Sequence, residues 1–292
     1  PTARTRRGTE GEEADYRYLE PKGYQVGGTN HRCCCGEIDI VAQQDDTLVE
    51  IGPGRGALTY PLLEEIPHLH VVELDRDLIA LLRQENSPER LTIHESDALR
   101  FDFRTLKPAD KPLRVIGNLP YNISTPLIFH LLSQADAISD MTFMLQKEVV
   151  DRLTASPGTR DWGRLSIMVQ YHCQADYLFF VPPGAFSPPP KVDSAVVRLI
   201  PHASPPHPAN DEEHLRRLVA QAFTQRRKAI RNSLKSQVTL EQFEQAGIDA
   251  GLRPDQLTVA DYVTLANLTC PGAGNPQRAT LSRQRPPGNR HR

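Results

Sequence analysis

Val49-Glu50-Ile51-Gly52-Pro53-Gly54-Arg55-Gly56-Ala57-Leu58-Thr59 is the stretch whose reading decides the fold. An apolar run ends at Ile51, glycines follow at alternate positions, and a helical pattern starts near Ala57. That is the strand, tight turn and helix of a nucleotide-type cofactor loop. Glycine suits the turn because a Cβ would block close approach of a ligand to the backbone. The spacing is GxGxG, not the GxGxxG of dinucleotide sites, and no Gly-Lys-Ser/Thr grip on phosphate occurs. NAD and ATP are therefore disfavoured.

Outward from the loop, short β-branched runs alternate with helical patterns up to about Ile200, the rhythm of a mostly parallel sheet with helices on both faces. Strands are expected at Thr47–Ile51, His70–Leu74, Leu91–His94, Leu113–Ile116, Met141–Leu145, Ala175–Val181 and Ser194–Ile200. The fold class is α/β, a Rossmann-like sheet of seven strands. Pro201–Pro208 reads as a proline-rich linker, and Asp211–Lys235 and the segments through Asn267 show helical periodicity without strand signals. Residues 47–203 are thus the expected catalytic domain and 209–270 a small all-α domain. Residues 271–292 hold five arginines, no acid and little that is apolar, so a disordered basic tail is expected there. Residues 1–46 do not fit the rhythm: a helix pattern at Glu10–Glu20, a glycine-rich turn and one strand at Glu37–Ala42.

Candidate cofactor contacts follow from position. Gly52, Gly54 and Gly56 form the loop. Glu73 closes the second strand, where an acid accepts hydrogen bonds from both hydroxyls of a ribose, and Asp97, after the third strand, is placed to accept from an adenine amino group. This acidic lining suits S-adenosylmethionine, whose sulfonium is positive.

After the fourth strand stands Asn118-Leu119-Pro120-Tyr121, at the carboxyl end where ligands of open α/β sheets bind. An exocyclic adenine amine is a poor nucleophile because its lone pair is delocalised into the ring. The Asn118 amide oxygen and the Leu119 carbonyl, accepting from both N–H bonds, favour a pyramidal nitrogen whose lone pair faces a methyl donor. Pro120 stiffens the loop, Tyr121 offers a ring for base stacking, and Phe186, in another proline-rich loop, offers a second ring. A base held between two rings is out of its stack, so the substrate is expected to be a loop or flipped nucleotide. Arg226, Arg227, Lys228, Arg231 and Lys235 form an expected cationic helix stripe for phosphate.

Composition sets the outer limits. Lys plus Arg (34) nearly balances Asp plus Glu (36), so whole-chain charge names no partner. The apolar runs fall short of a bilayer span, and no membrane partner is expected. Five cysteines, three of them at Cys33, Cys34 and Cys35, make neither a disulfide scaffold nor a zinc site, so no metal is expected. The first residues lack the apolar core of a secretory signal, and a cytoplasmic location is expected.

On the segments VEIGPGRGALT, VVELDRD, GNLPYNISTPLIFHLL, FMLQKEVVDRL, GRLSIMVQYHC, AFSPPPKVDSAVVRL and FTQRRKAIRNSLK, residues 48 to about 268 resemble the KsgA family of ribosomal RNA adenine dimethyltransferases. The resemblance implies transfer of two methyl groups from S-adenosylmethionine to N6 of each of two adjacent adenosines in the 3′-terminal hairpin loop of small-subunit rRNA. It implies action as a monomer on an assembling 30S subunit. By position it places Gly52, Glu73, Asp97 and Asn118 at the cofactor, with Asn118, Leu119, Tyr121 and Phe186 at the target amine. Two rivals stand beside it. The related Erm enzymes act on large-subunit rRNA and usually carry Ile where this chain has Leu119; the other rival is a catalytically silent RNA-binding or ribosome-assembly protein.

The front end departs from the family. Its members begin with a basic stretch and an FGQNFL-like motif that touches the cofactor, and nothing like it precedes Leu48. Residues 8–49 instead resemble the start of the YraN nuclease-like family, through Gly36-Glu37-Ile38-Asp39-Ile40-Val41-Ala42 and Asp46-Thr47-Leu48-Val49 among other pieces. Glu50 there lacks the Lys that would complete a D…ExK metal site, so nuclease chemistry is not expected. The expectation is a chimera in which a foreign segment replaces the cofactor lid.

Overall fold

The computed structural model describes residues 47–108, 111–186 and 189–270, preceded by four short strands. These are β1 (Gln25–Val26), β2 (His31–Cys33), β3 (Gly36–Ile38) and β4 (Ala42–Gln43), paired antiparallel as β1 with β4 and β2 with β3. Of the strand expected at Glu37–Ala42, residues 39–41 lie outside the described residues, as do the Glu10–Glu20 helix, Cys34, Cys35 and the tail from Pro271.

Seven strands form one sheet: β5 (Thr47–Ile51), β6 (Leu69–Glu73), β7 (Leu91–Glu95), β8 (Leu113–Asn118), β9 (Ile138–Gln146), β10 (Cys173–Val181) and β11 (Ser194–Pro201). Their spatial order is β10-β11-β9-β8-β5-β6-β7. The pairs β5–β6, β6–β7, β5–β8 and β8–β9 are parallel, and β11 runs antiparallel to both neighbours. From β5 the chain steps outward to β6 and β7, then returns to build β8 and β9 on the other side. That reversal opens a crevice outside the carboxyl ends of β5 and β8, where open α/β sheets take their ligands.

Helices α1 (Thr59–Glu65) and α2 (Arg76–Glu85) cover one face, where Leu62, Leu63 and Leu82 pack with Leu69, Val71 and Leu91. The start of α2 is written in the sequence: the Asp75 carboxylate accepts from the N–H groups of Asp77 (2.9 Å) and Leu78 (3.2 Å), a cap worth about 1 kcal/mol. Helices α3 (Ser124–Leu132) and α4 (Lys147–Leu153) complete this part. At the opposite, amino end of β8 and β9 sits a buried ion cluster. Arg114 grips Asp140 through Nε at 3.0 Å and Nη2 at 2.9 Å, and Arg198 of β11 donates to the same carboxylate from Nε at 3.1 Å and from Nη2.

The chain divides into two units, residues 1–154 with 172–203 and residues 155–171 with 204–292. The second takes in Ala155–Tyr171, a stretch that sequence reading places in the sheet domain. It contains α5 (Arg164–His172) up to Tyr171, then α6 (Glu212–Ala222), α7 (Ile230–Leu234), α8 (Leu240–Ala246) and α9 (Val259–Thr269). Leu215, Leu218, Leu234, Phe243, Tyr262 and Leu265 are buried within it, and Trp162 Nε1 donates to the Leu257 carbonyl at 2.9 Å.

The helical run expected over Asp211–Lys235 is broken. Beyond α6 come a short 3-10 turn, Phe223–Gln225, and a non-helical turn before α7. The reason is tertiary: the N–H groups of Ile230 and Arg231 donate to the carbonyls of Leu252 (2.7 Å) and Ala250 (3.3 Å) instead of to the preceding turn. Among the described residues, no helix is long and apolar enough to cross a membrane.

Candidate methyl-transfer site

The glycine loop turns at the carboxyl end of β5. Gly52 and Gly54 have φ of 67° and 57°, and a Cβ at either would meet nothing within 4 Å, so the loop borders open space. Gly56 does the opposite job: its Cβ would fall 2.2 Å from the Tyr60 ring, which closes on the loop from α1. A further glycine, outside the sequence-derived set, joins the two halves of the site. A Cβ on Gly117 would lie 2.6 Å from the Ile51 carbonyl oxygen. Only glycine there lets the ends of β8 and β5 approach closely enough to bring Asn118 level with the cofactor loop.

Glu73 ends β6 and is drawn back toward the loop. Its Oε1 accepts from the N–H groups of Leu74 (2.8 Å) and Asp75 (3.0 Å), and Oε2 accepts from Gly54 at 3.3 Å. Two backbone donors fill Oε1, so the capacity to accept from a ribose is concentrated on Oε2 rather than spread over both oxygens. Asp97, two residues past β7, is half-buried; Oδ1 accepts from the Leu99 N–H at 2.9 Å, and Oδ2 lies 3.9 Å from Arg100 Nε. An open glycine turn flanked by two half-buried carboxylates fits a nucleoside carrying a positive centre. Among the described residues, no three or more His, Cys, Asp or Glu side chains gather as metal ligands.

Glu50 is the residue that sequence reading left out of this site. It is 1% exposed on β5, directly before the loop, and accepts from Thr59 Oγ1 at 2.7 Å. Burial raises its pKa to about 7, the Thr59 hydrogen bond opposing this and the charge of Glu73 adding to it. A charged letter inside an apolar strand immediately ahead of a glycine turn was the available signal.

The tetrapeptide begins at the carboxyl end of β8. Asn118 closes β8 in register with Met144, and the Leu119 N–H donates to the Met144 carbonyl at 3.2 Å, which fixes the Asn118–Leu119 peptide plane against β9. Leu119 is buried, Pro120 exposed, and Tyr121 36% exposed, with its hydroxyl 3.0 Å from Ser194 Oγ. Phe186 is half-buried in the connection between β10 and β11.

In the helical unit, Arg227, Lys228, Arg231 and Lys235 are exposed. Arg226 is not equivalent to them. Its guanidinium donates to the carbonyls of Thr159 and Arg160 and lies 3.5 Å from Asp255 Oδ2, so it holds the turn together, and the expected helix stripe is instead a basic turn running into α7.

Strand order and crevice are those of the Rossmann-like fold that S-adenosylmethionine-dependent methyltransferases use. The chain belongs to the ribosomal RNA adenine dimethylase family, whose sequence pattern matches residues 37–270. It is 89% identical to the ribosomal RNA small subunit methyltransferase A of Alcanivorax borkumensis over 79% of this chain and 82% of that one. With the protein of the same name from Pseudomonas aeruginosa it shares 58% identity over 81% of this chain and 88% of that one. Among solved structures it is similar to a dimethyladenosine transferase from Plasmodium falciparum, with 27% identity, a TM-score of 0.65, and 76% and 89% of the two chains covered. It is also similar to the 23S rRNA methyltransferase ErmE, with 26% identity, a TM-score of 0.61, and 77% and 91% covered.

Proposed function

We propose that this chain methylates N6 of two adjacent adenosines in the 3′-terminal hairpin loop of small-subunit rRNA, acting as a cytoplasmic monomer on the assembling 30S subunit. The carrying observation is the Asn118–Tyr121 tetrapeptide at the closed end of β8, level with an open glycine turn and two carboxylates. The names of the relatives that share 58–89% identity favour the small-subunit substrate over the large-subunit one.

Bound S-adenosylmethionine supplies an electrophilic methyl group on a sulfonium. Gly52 and Gly54 would border it, and the acceptor capacity left on Glu73 Oε2 and Asp97 Oδ2 would serve its ribose hydroxyls and its adenine amine. In the first transfer Asn118 Oδ1 and the Leu119 carbonyl accept from the two N–H bonds of the target amine, and in the second one of them accepts from the N–H that remains, so the lone pair leaves the ring and faces the donor. Tyr121 and Phe186 hold the base by its faces, about 1–3 kcal/mol for each stacked ring. Each transfer adds one methyl group to the nitrogen as the carbon–sulfur bond breaks, leaves the spent donor as a neutral thioether, and releases one proton from the nitrogen to water. Arg227, Lys228, Arg231 and Lys235 contact phosphates. The segment before residue 37, where the match to the family's pattern begins, stands in place of the family's cofactor lid; restoring an FGQNFL-like front end is expected to tighten cofactor binding, measured by calorimetry.

The test is labelled methyl transfer from S-adenosylmethionine to small subunits lacking the modification. Label confined to the 3′-terminal hairpin, and abolished by Asn118→Ala, supports the reading. RNA binding without label would mean a silent binder.

A further inference from the structure

We infer that Ser194 is a positioning residue for the target base, acting through the Tyr121 hydroxyl; this rests on the reading of Tyr121 as one wall of the base site. Tyr121 sits in the turn after β8 and is 36% exposed. One contact stands out against that exposure: its hydroxyl lies 3.0 Å from Ser194 Oγ, a partner 73 residues away that is itself 1% exposed. A buried hydroxyl on a strand is a rigid anchor, whereas water on an exposed phenol is not.

The anchor's place in the sheet gives the contact its meaning. Ser194 is the first residue of β11, paired with Val181 at the end of β10 and with Gln146 at the end of β9. The neighbouring Asp193 carbonyl accepts from the Lys147 N–H at 2.9 Å, which pins the same corner to the start of α4. The connection that leaves Val181 and returns at Ser194 carries Phe186. The Tyr121–Ser194 bond therefore ties the aromatic that follows β8 to the base of the hairpin that bears the second aromatic. A clamp for a planar base needs its two walls at a set spacing, and this bond ties the wall that follows β8 to the strand that ends the second loop. Losing the bond leaves both rings in place but frees one to turn, so the base is still bound and less often presented with its amine in line.

The hydroxyl pair acts in positioning and not in proton transfer, which makes a definite pattern in kinetics. Ser194→Ala and Tyr121→Phe each delete one side of the same bond. We expect each to lower kcat about 10-fold, with KM for the subunit changed less than about 3-fold and cofactor affinity unchanged. The double variant should fall no further than either single one, because the second substitution removes a bond already gone. Ser194→Thr, which keeps the hydroxyl, should restore most of the rate.

The inference is overturned if Tyr121→Phe keeps the wild-type kcat, if the two effects multiply in the double variant, or if Ser194→Ala weakens cofactor binding in step with the rate. Tyr121→Phe alters an exposed position, so it decides the question even where Ser194→Ala fails to fold. Tyr121→Ala separates the two levels of argument. Wild-type activity in that variant sinks the base-clamp reading itself; its loss alongside a neutral Tyr121→Phe sinks only the role of Ser194.

Discussion

The two ends of the central sheet treat charge in opposite ways. At the amino end Asp140 is gripped by Arg114 and Arg198, all three nearly buried, with side chains 6%, 12% and 14% exposed. At the carboxyl end Glu73 and Asp97 are held only by backbone N–H groups and one distant arginine, Glu50 by a threonine hydroxyl, and the glycine turn beside them opens on solvent. Charges paired at short range stabilise a fold. Charges left with acceptor capacity serve a ligand. A sheet whose strands run mostly one way keeps the two tasks apart, because its loops for ligands and its inward-facing strand starts lie at opposite edges.

The largest break in this comparison should come from Asp140→Ala, which removes the buried carboxylate that two guanidinium groups share and is expected to cost about 3–5 kcal/mol in denaturant unfolding. Methyl transfer by the fraction that stays folded should remain near wild type. Asn118→Ala is the mirror case: a loss of about 100–1000-fold in kcat, by analogy with removal of one transition-state partner, with the melting temperature unmoved. If Asn118→Ala also melted the fold, or Asp140→Ala slowed the folded enzyme, the division between the two ends would fail.

Smaller effects sharpen it through pH. Glu50 is raised from 4.5 to about 7 in the fold, so its contribution to stability is full below 4.5 and is lost as pH rises through about 7. His70 behaves in the opposite sense. Burial, with the charges of His68 and His94 adding, lowers it from 6.5 to about 4; its contribution is full above 6.5 and lost as pH falls through about 4. His70 lies on β6 with Nδ1 3.1 Å from His94 Nε2 and its ring centroid 4.9 Å from that of His68. Unfolding midpoints across pH 4–8 should lose their alkaline decline in Glu50→Gln and their acid decline in His70→Phe. The smallest effects belong to the helical unit. Arg227→Ala and Lys228→Ala should each reduce the salt slope of RNA binding by about 1. Arg226→Ala should lower thermal stability instead, because its partners are Thr159, Arg160 and Asp255.

Much of the sheet was legible in the sequence because β-branched runs and glycine punctuation are local signals. Each expected strand forms within a few residues of its place, β9 being the one that extends furthest beyond its apolar core, from Ile138 to Gln146. The candidate acids and the tetrapeptide were legible for the same reason: Glu73 and Asn118 close strands and Asp97 follows one by two residues. What escaped was the business of distant partners. The break after α6 depends on carbonyls of Ala250 and Leu252, and nothing in Gln225-Arg226-Arg227-Lys228 announces it. Gly117 reads as an ordinary strand residue until the Ile51 carbonyl is seen 2.6 Å from where its Cβ would be.

By itself the sequence determined the order of elements, the loop that turns after β5, and the identity of the groups offered at the crevice, since these follow from side-chain periodicity and residue chemistry along one stretch of chain. Tertiary structure alone decided which of those groups keep acceptor capacity and which are spent on the fold. Glu73 and Asp140 are both acids in strands of one sheet; one faces backbone donors and open space, the other two arginines. The physical reason is that a charge's role is set by what lies within a few ångströms of it, and those neighbours come from strands far apart in sequence.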